Sequence, residues 1–297
     1  IVWYHEMIDP ISGDAPNIGS NDGTYLFNFD NKNYRDFRPT LNFSSIVFGM
    51  ALHQPNKENH SLNHSYNLIS SKCIKPETPT SRYFKDGGFA KLVRKNGMII
   101  VRVPNFQFRP SQSDNLHIDL WQDGINWIRD AGSFSYALED KQMESFSGAI
   151  GHSTVIFNNS SHMPKLSRFL FGEWIRNPKS SFSPELNSFK CSYNNYLNFR
   201  HSREILSKKN GWKIIDDFSG PFENAMLQWR LPTNNWVLSG EKLFCDNVTF
   251  IFDVDNNCKL ELINMGESLH YMHQSTIPVL RIIASSSNKI TTNIHFN

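Results

Sequence analysis

The feature that most constrains this chain is a period of two in its hydrophobic pattern, which runs from about Tyr83 onward. Successive side chains of a β-strand point to opposite faces, so apolar–polar alternation is typical of a strand with one buried face. Residues 89–94 and 98–103 form such a pair, joined by a Lys-Asn-Gly turn. Residues 116–121 and 126–130 form a second pair, joined by Gln-Asp-Gly. Both connections have the composition of hairpin turns, so we expect antiparallel strands.

Many further segments of the same kind follow, separated by turn residues. They are residues 153–157, 168–174, 189–193, 202–206, 212–218, 226–231, 236–239, 242–245, 249–253, 260–263, 279–284 and 290–295. Short strands at regular spacing indicate stacked antiparallel sheets rather than alternating strands and helices. The sequence therefore predicts a mainly β protein, a large antiparallel two-sheet β-sandwich.

The first eighty residues have a different character. Residues 1–7 and 36–50 show the apolar spacing of short helices, and residues 9–23 between them are rich in Pro, Gly, Asn and Asp. A polar stretch at 54–80 has the composition of a surface connection. We therefore divide the chain into a helical segment with its linker at 1–80 and a β-sandwich domain at 81–297.

Charge and hydropathy exclude several classes of partner. The formal net charge of the 297 residues is +2, and Lys and Arg are scattered, so we expect no nucleic-acid partner. No run of about 18 apolar residues occurs, so we expect no membrane span. The four cysteines form no CxxC pair, which argues against a thiolate metal site.

One predicted strand carries unusual polar side chains. Alternation places Leu116, Ile118 and Leu120 in the core and turns His117, Asp119 and Trp121 to the other face. An indole beside an imidazole and a carboxylate suits sugar binding, because the indole offers a flat apolar surface and its neighbours offer hydrogen bonds. The alternative is a partly exposed polar face packed on a neighbouring loop.

Other candidate residues lie outside this strand. Asp130 ends a strand at an Ala-Gly turn, where it either caps the turn or orients another group, and His152 begins a strand as a structural histidine or a functional one. Arg200 and Arg203 are candidates for binding an anionic substrate, because guanidinium groups bind carboxylate or sulfate with paired hydrogen bonds. A solvated strand edge explains these two arginines equally well. The glycine-rich loop either brings backbone N–H groups to a sugar acid or only connects elements. The candidate substrate ligands of these two groups are Arg200, Arg203, Asn17, Asn21 and Asp22.

Several short motifs occur in an order that resembles the heparinase II/III family of polysaccharide lyases. Family members carry HAHAD-L, then D-x-G-T-Y-x-Y, then H-N-T and a short turn. The corresponding segments here are 112–116 (QSDNL), 130–136 (DAGSFSY), 152–155 (HSTV) and 162–163 (HM), with 16–23 (PNIGSNDG) and 86–89 (DGGF) upstream. The resemblance covers roughly residues 7–176.

The resemblance implies an N-terminal α/α toroid and a C-terminal sandwich with the substrate cleft between them. Such proteins break an uronate-containing acidic polysaccharide by β-elimination. The resemblance implies that the toroid supplies Asn or His and a Tyr, and that the first sheet of the sandwich supplies a catalytic His. On this basis the chain is the C-terminal part of a bacterial carbon–oxygen lyase of capsule or O-antigen processing, periplasmic or envelope-associated if exported. The toroid would lie upstream of Ile1, so we expect the 297-residue chain alone to be inactive.

The match is incomplete at the motif histidines. They fall on Pro110 and Gln112, whereas Asp114, Asp130 and His152 agree with the pattern. The resemblance implies a metal held at Asp130 and His152 in some members, but a glutamine is a poor zinc ligand. We therefore expect no required cofactor and at most a weakly bound divalent metal, with these side chains forming a hydrogen-bonded cluster instead.

The departures leave two readings of function open. In the first, His117 substitutes for the missing catalytic histidine beside His152 and Asp130, and Gln112, Asp114, Asp119 and Trp121 bind substrate. In the second, the protein is a catalytically lapsed, carbohydrate-binding or structural sandwich. Retention of Asp130 and His152 favours the first, and loss of both motif histidines favours the second.

Overall fold

The computed structural model describes residues 2–20, 33–48 and 79–297. Within these residues the protein is mainly β and antiparallel, as the alternation predicts. The helices are α1 (Val2–Met7), α2 (Arg38–Val47) and α3 (Asp140–Ser147). The first ten strands are β1 (Arg82–Phe84), β2 (Phe89–Arg94), β3 (Gly97–Arg102), β4 (Ile118–Gln122), β5 (Ile125–Ile128), β6 (Val155–Phe157), β7 (Lys165–Ser167), β8 (Leu170–Phe171), β9 (Lys179–Ser183) and β10 (Ser188–Asn194). The others are β11 (Arg200–Lys208), β12 (Gly211–Ser219), β13 (Ala225–Arg230), β14 (Val237–Ser239), β15 (Lys242–Cys245), β16 (Val248–Asp253), β17 (Lys259–His270), β18 (His273–Ala284) and β19 (Asn288–Phe296).

Three sheets build the sandwich. Strands β1 to β5 form a five-stranded meander, and a four-stranded sheet has the order β17-β18-β13-β6. The eight-stranded sheet has the order β14-β15-β16-β19-β12-β11-β10-β9, and β7 pairs only with β8. The N–H of Arg129 donates to the carbonyl of Arg230 (3.1 Å), which joins the edges of the two smaller sheets. These two sheets therefore form one layer opposite the eight-stranded sheet.

The main core lies between the two layers. Leu92, Leu120 and Leu227 from the smaller sheets share one buried cluster with Trp212 and Phe250 from the eight-stranded sheet. Burial of apolar area of this kind is the dominant stabilising contribution to such a fold. The alternation of β4 is confirmed, because Ile118 and Leu120 belong to this core while Trp121 faces away from it.

The N-terminal segment covers the outer face of the five-stranded sheet. Met7 packs against Met98, Ile100 and Trp121, which face away from the main core. At the same interface the Lys91 Nζ lies 2.9 Å from Oε2 of Glu6, with the lysine side chain fully buried. The five-stranded sheet is therefore buried on both faces.

Some elements differ from the predicted ones. Residues 168–174 were expected to form one strand, but β7 and β8 make a short hairpin there. Strands β17 and β18 are each twelve residues long and pair along their length, well beyond the expected 260–263 and 279–284. Helix α3 has no counterpart in the prediction, because its few apolar residues give only a weak helical pattern. Among the described ranges, no helix has the length and apolar character that crossing a bilayer requires.

Candidate active site

Three chain segments meet at one end of the five-stranded sheet. The N–H of Ala131 donates to the carbonyl of Gly151 (2.9 Å), and the Thr154 hydroxyl donates to the carbonyl of Asn115 (2.7 Å). The hydroxyl of Ser153 donates to the carbonyl of Arg129 (3.0 Å). These bonds bring the residues around 115, 130 and 152 together, although they lie far apart in sequence.

The side chains of His117, Asp130 and His152 form one buried cluster where these segments meet. Within this cluster, Asp130 and His152 form a pair. The Oδ2 atom of Asp130 lies 2.6 Å from Nδ1 of His152, and the Asp130 Oδ1 accepts the N–H of Gly132. Burial lowers the pKa of His152, but the charge and hydrogen bond of Asp130 outweigh it and leave that pKa raised. Burial raises the pKa of Asp130, but the charge and hydrogen bond of His152, with smaller effects of His117 and Gly132, together outweigh it and leave that pKa lowered. The pair therefore favours carboxylate and imidazolium.

Gly132 makes the turn that aims the Asp130 carboxylate. Its φ is +78°, in the left-handed region that glycine tolerates. A Cβ at this position would lie 1.6 Å from the carbonyl oxygen of Ser268. The N–H of Ser268 in turn donates to the carbonyl of Ala131 (2.7 Å), so the turn is fixed against strand β17. The Asp-x-Gly motif is thus a local requirement of this turn.

His117 lies beside the pair in a defined tautomer. Its ring centroid is 5.4 Å from that of His152. The Nδ1 atom accepts the backbone N–H of Ser153 (2.9 Å), and Nε2 lies 3.2 Å from Oδ2 of Asp119. A ring nitrogen that faces an N–H donor carries no proton, so the proton of the neutral ring is on Nε2 and donates to Asp119.

A cleft of about 280 Å³ opens next to this cluster. Its lining residues include Ile18, Gly19, Arg102, Phe106, Arg109 and Gln112. Asp114 joins the cleft to the cluster, because it also lines the cleft and its carbonyl accepts the N–H of His117 (3.0 Å). The loop at Ile18 and Gly19 therefore faces the segment that carries Gln112 and Asp114 across the cleft.

Two cleft arginines differ in how firmly they are held. Arg102 donates from Nη1 to the carbonyls of Gly87 and Gly88 (3.0 Å each) and lies over the rings of Phe89 and Phe106. Arg109 is exposed and contacts the ring of its neighbour Phe108, which is 75% exposed. Sequence reasoning assigned no role to either arginine. The available signal was the interleaved Phe-x-Phe-Arg at residues 106–109.

Several predicted ligands lie away from the cleft. Trp121 has no exposed surface, and its Nε1 lies 3.3 Å from Oδ2 of Asp14, so the expected exposed indole is wrong. Asp119 is buried and bonded to His117. Asn17 accepts a hydrogen bond from Arg35 (2.8 Å), and Asn21 and Asp22 lie outside the described residues.

The two predicted substrate arginines of β11 are also placed elsewhere. Arg200 makes an exposed ion pair with Asp217 (3.5 Å) on the eight-stranded sheet. Arg203 is 1% exposed inside the sandwich, so the expectation that it reaches solvent is wrong. Alternation explains this difference, because Arg203 shares the inward face of β11 with His201 and Ile205.

A sequence model of the family described as "Heparinase II/III-like, C-terminal" matches residues 76–281. The chain belongs to this family. The match includes every residue of the buried cluster and most of the cleft lining described above. No curated protein matches the chain.

Solved structures with the heparinase III fold superpose on nearly the whole chain. The heparinase III BT4657 gene product has a TM-score of 0.73 at 17% identity, with 99% of this chain and 45% of that chain covered. The heparan sulfate lyase HepC from Pedobacter heparinus has a TM-score of 0.68 at 18% identity, with 98% and 45% covered. The likeness shows a shared fold. The chain spans less than half the length of these proteins.

The heparinase-like cluster does not fit the metal that the resemblance implies. Single ligand atoms of His117, Asp130 and His152 lie within 4.8 Å of one another. However, the hydrogen bonds already made occupy both nitrogens of His117 and both oxygens of Asp130. Near this cluster, His152 has a buried nitrogen without a partner (Nε2) in the described residues and Gln112 has a buried oxygen without one (Oε1), and an imidazole with one amide is too few ligands for zinc.

Proposed function

We propose that this chain forms the sandwich-side wall of a lyase active site that cleaves an acidic, uronate-containing polysaccharide by β-elimination. The observation that carries the proposal is the cleft beside the buried cluster, in which Arg102 and Arg109 face the loop at Ile18 and Gly19. Family membership supports a polysaccharide-lyase-like function. Processing of a capsule or O-antigen polysaccharide is the setting that we propose.

The chemistry of elimination explains why arginines are needed in the cleft. The proton next to a sugar carboxylate is weakly acidic, and its removal becomes easier when the carboxylate charge is neutralised. A guanidinium group matches a carboxylate with two parallel hydrogen bonds. Arg109 is exposed and able to move toward a substrate, whereas Arg102 is held against the backbone at Gly87 and Gly88. We therefore assign substrate binding to Arg109 and a fixed positive charge to Arg102.

The buried cluster supports the cleft rather than reacting directly. His117 is 6% exposed and His152 is fully buried, and neither lines the cleft. Asp114 lines the cleft and accepts the N–H of His117 at its carbonyl, and its carboxylate lies 3.3 Å from Nε of Arg102. We propose that the cluster sets the position and charge of Gln112 and Asp114. The proton-accepting and proton-donating groups then come from the opposite wall of the cleft, which the resemblance assigns to a toroid.

Turnover of uronate polymers by the complete gene product tests this proposal. Product formation is followed by the ultraviolet absorbance of the unsaturated uronate. The variant Arg109→Gln should raise KM about tenfold or more, because a charged hydrogen bond contributes roughly 1.5–3 kcal/mol. The matched control Lys242→Gln removes a charge from exposed strand β15 and should leave KM unchanged. An equal effect of both variants would contradict the assignment of Arg109.

A catalytically lapsed, polysaccharide-binding sandwich is the second candidate. The loss of both motif histidines favours it, because Pro110 and Gln112 stand at their positions. The two candidates differ in the same assay. Absence of product from every uronate polymer, with binding retained and weakened by Arg109→Gln, would support the second candidate and exclude the first.

A further inference from the structure

We propose that Arg203 is a positioning residue that holds His117 and His152 in place from inside the sandwich. Arg203 lies on β11 of the eight-stranded sheet, and its side chain crosses the core toward the opposite layer. Arg203 does not line the cleft, and the groups to which it donates are the Asp216 carboxylate and the carbonyls of Leu116 and Ser153. Its effect on turnover rests on the proposed function, whereas its effect on the two histidines does not.

The guanidinium joins the two histidine-bearing segments. Its Nη1 donates to the carbonyl of Leu116 (2.5 Å) and to the carbonyl of Ser153 (2.8 Å). Leu116 directly precedes His117, and Ser153 directly follows His152. One nitrogen atom therefore joins two backbone segments that are 37 positions apart, one just before β4 and the other just before β6.

The Leu116 peptide needs such a partner. Leu116 has a φ of +55°, in the left-handed region that a bulky side chain rarely adopts. Strained backbone of this kind persists only where surrounding contacts determine it. Its N–H donates to the carbonyl of Arg102 (2.9 Å), and its carbonyl accepts from Arg203. Both polar groups of the strained residue are thus held, and the direction of His117 follows from it.

Ser153 connects Arg203 to the tautomer of His117. The Ser153 N–H donates to Nδ1 of His117 (2.9 Å), while the Ser153 carbonyl accepts from Arg203. The Ser153 hydroxyl also accepts the N–H of Arg230 (3.1 Å). Displacement of Ser153 removes the donor that keeps the His117 proton on Nε2.

Arg203 is itself anchored by a buried carboxylate. Its Nε donates to Oδ1 of Asp216 (2.7 Å), its cross-strand partner on β12, and its guanidinium lies over the ring of Trp229. The same Asp216 oxygen accepts Nε2–H of His201 (2.7 Å). Burial raises the pKa of Asp216, but Arg203 and His201 together outweigh it and leave that pKa lowered. A carboxylate and a guanidinium therefore remain paired in the core, in a geometry that a lysine cannot reproduce.

The test is the variant Arg203→Lys in the full chain, with the side-chain ¹⁵N and ¹H resonances of His117 and His152 recorded by NMR as pH is varied. We expect His117 to lose its single tautomer and the pKa of His152 to change, in a protein that still folds. Arg281→Lys is the matched control, because Arg281 lies on β18 and contacts Met265 and Glu261 instead. It should leave both histidines unchanged.

If Arg203→Lys does not fold, Asp216→Asn keeps the side-chain size and weakens only the anchor, and the same resonances should shift. Folded variants whose histidine resonances match those of the wild type would overturn the proposal. In the complete gene product we expect kcat to fall about 10–100-fold with KM changed less than threefold, because small displacements of a reacting site have effects of this order. Absence of turnover in the wild type would contradict the proposed function and leave the NMR result decisive for Arg203.

Discussion

His152 and Asp130 are joined through Nδ1 and Oδ2 at 2.6 Å, with both side chains excluded from solvent. Breaking a buried pair by removing one partner leaves an uncompensated charge. The bond connects the strand that begins after His152 to the turn at Gly132, which in turn is fixed against β17. The packing of the His152 segment, the Gly132 turn and β17 therefore depends on the protonation states of Asp130 and His152.

Asp130→Asn should lower the free energy of unfolding by about 3 kcal/mol near pH 5–6. The Asp130 contribution is present above its unfolded pKa of 3.8 and is lost as pH falls through its lowered folded value. The His152 contribution is present below 6.5 and is lost as pH rises through its raised folded value. Denaturant unfolding from pH 3 to 9 should show a wild-type advantage that declines at both ends. A difference independent of pH would contradict this account.

Acid should destabilise the fold through His162. Burial lowers the pKa of His162 to about 3, and its Nε2 donates to the carbonyl of Val155. Between pH 6.5 and 3 the unfolded chain binds a proton at His162 that the folded chain does not bind. The free energy of unfolding therefore decreases by about 1.4 kcal/mol for each unit by which the pH is lowered in this range. Unfolding of His162→Gln across this range should have a shallower pH slope. The exposed His273→Gln is the control and should keep the wild-type slope.

Gly132→Ala should destabilise the protein by on the order of 3 kcal/mol or more, because a left-handed φ and a clash with the Ser268 carbonyl act together. Gly240→Ala provides the matched control. Gly240 also has a positive φ (56°), but a Cβ there meets nothing within 4 Å, so we expect only about 1–2 kcal/mol. Thermal unfolding measures the stability of both variants. A similar loss of stability in the two would show that the clash with the Ser268 carbonyl does not contribute.

Lys91→Met should cost about 3–5 kcal/mol, because Glu6 then remains buried with the exposed Arg82, 4.0 Å away, as a more distant cation. Burial lowers the pKa of Lys91 despite the opposing effect of the hydrogen bond that Lys91 donates to Glu6, which shows how strongly the site excludes water. The double variant Glu6→Leu with Lys91→Met removes both charges and should recover most of the loss. Denaturant unfolding measures each variant, and a double variant as unstable as Lys91→Met would argue against a paired origin.

The sequence predicts the sheet layer well and the packing around it poorly. Alternation assigns Ile118 and Leu120 to the core correctly because side-chain direction along a strand is a local property. The same alternation cannot tell solvent from a second buried interface, so Trp121 was expected to be exposed although Met7 and Asp14 cover it. Such covering depends on contacts more than a hundred positions apart in sequence.

The candidate site shows the same division. Proximity of Asp130 and His152 follows from the family motifs, which carry long-range information that spacing lacks. The cleft position of Arg109 and the core position of Arg203 depend on packing between distant segments, which the local sequence around each arginine does not specify. Only the paired strand β12 and its Asp216 determine that Arg203 is neutralised inside the sandwich.

The cover that residues 2–20 place on the five-stranded sheet has a practical consequence. A protein cut after residue 80 would present Met98, Ile100 and Trp121 to water as a contiguous apolar patch, with Lys91 deprived of its carboxylate. Patches of this kind promote self-association. Shortened versions intended for crystallisation or binding assays should therefore retain the leading helix, since solubility as well as cleft shape depends on it.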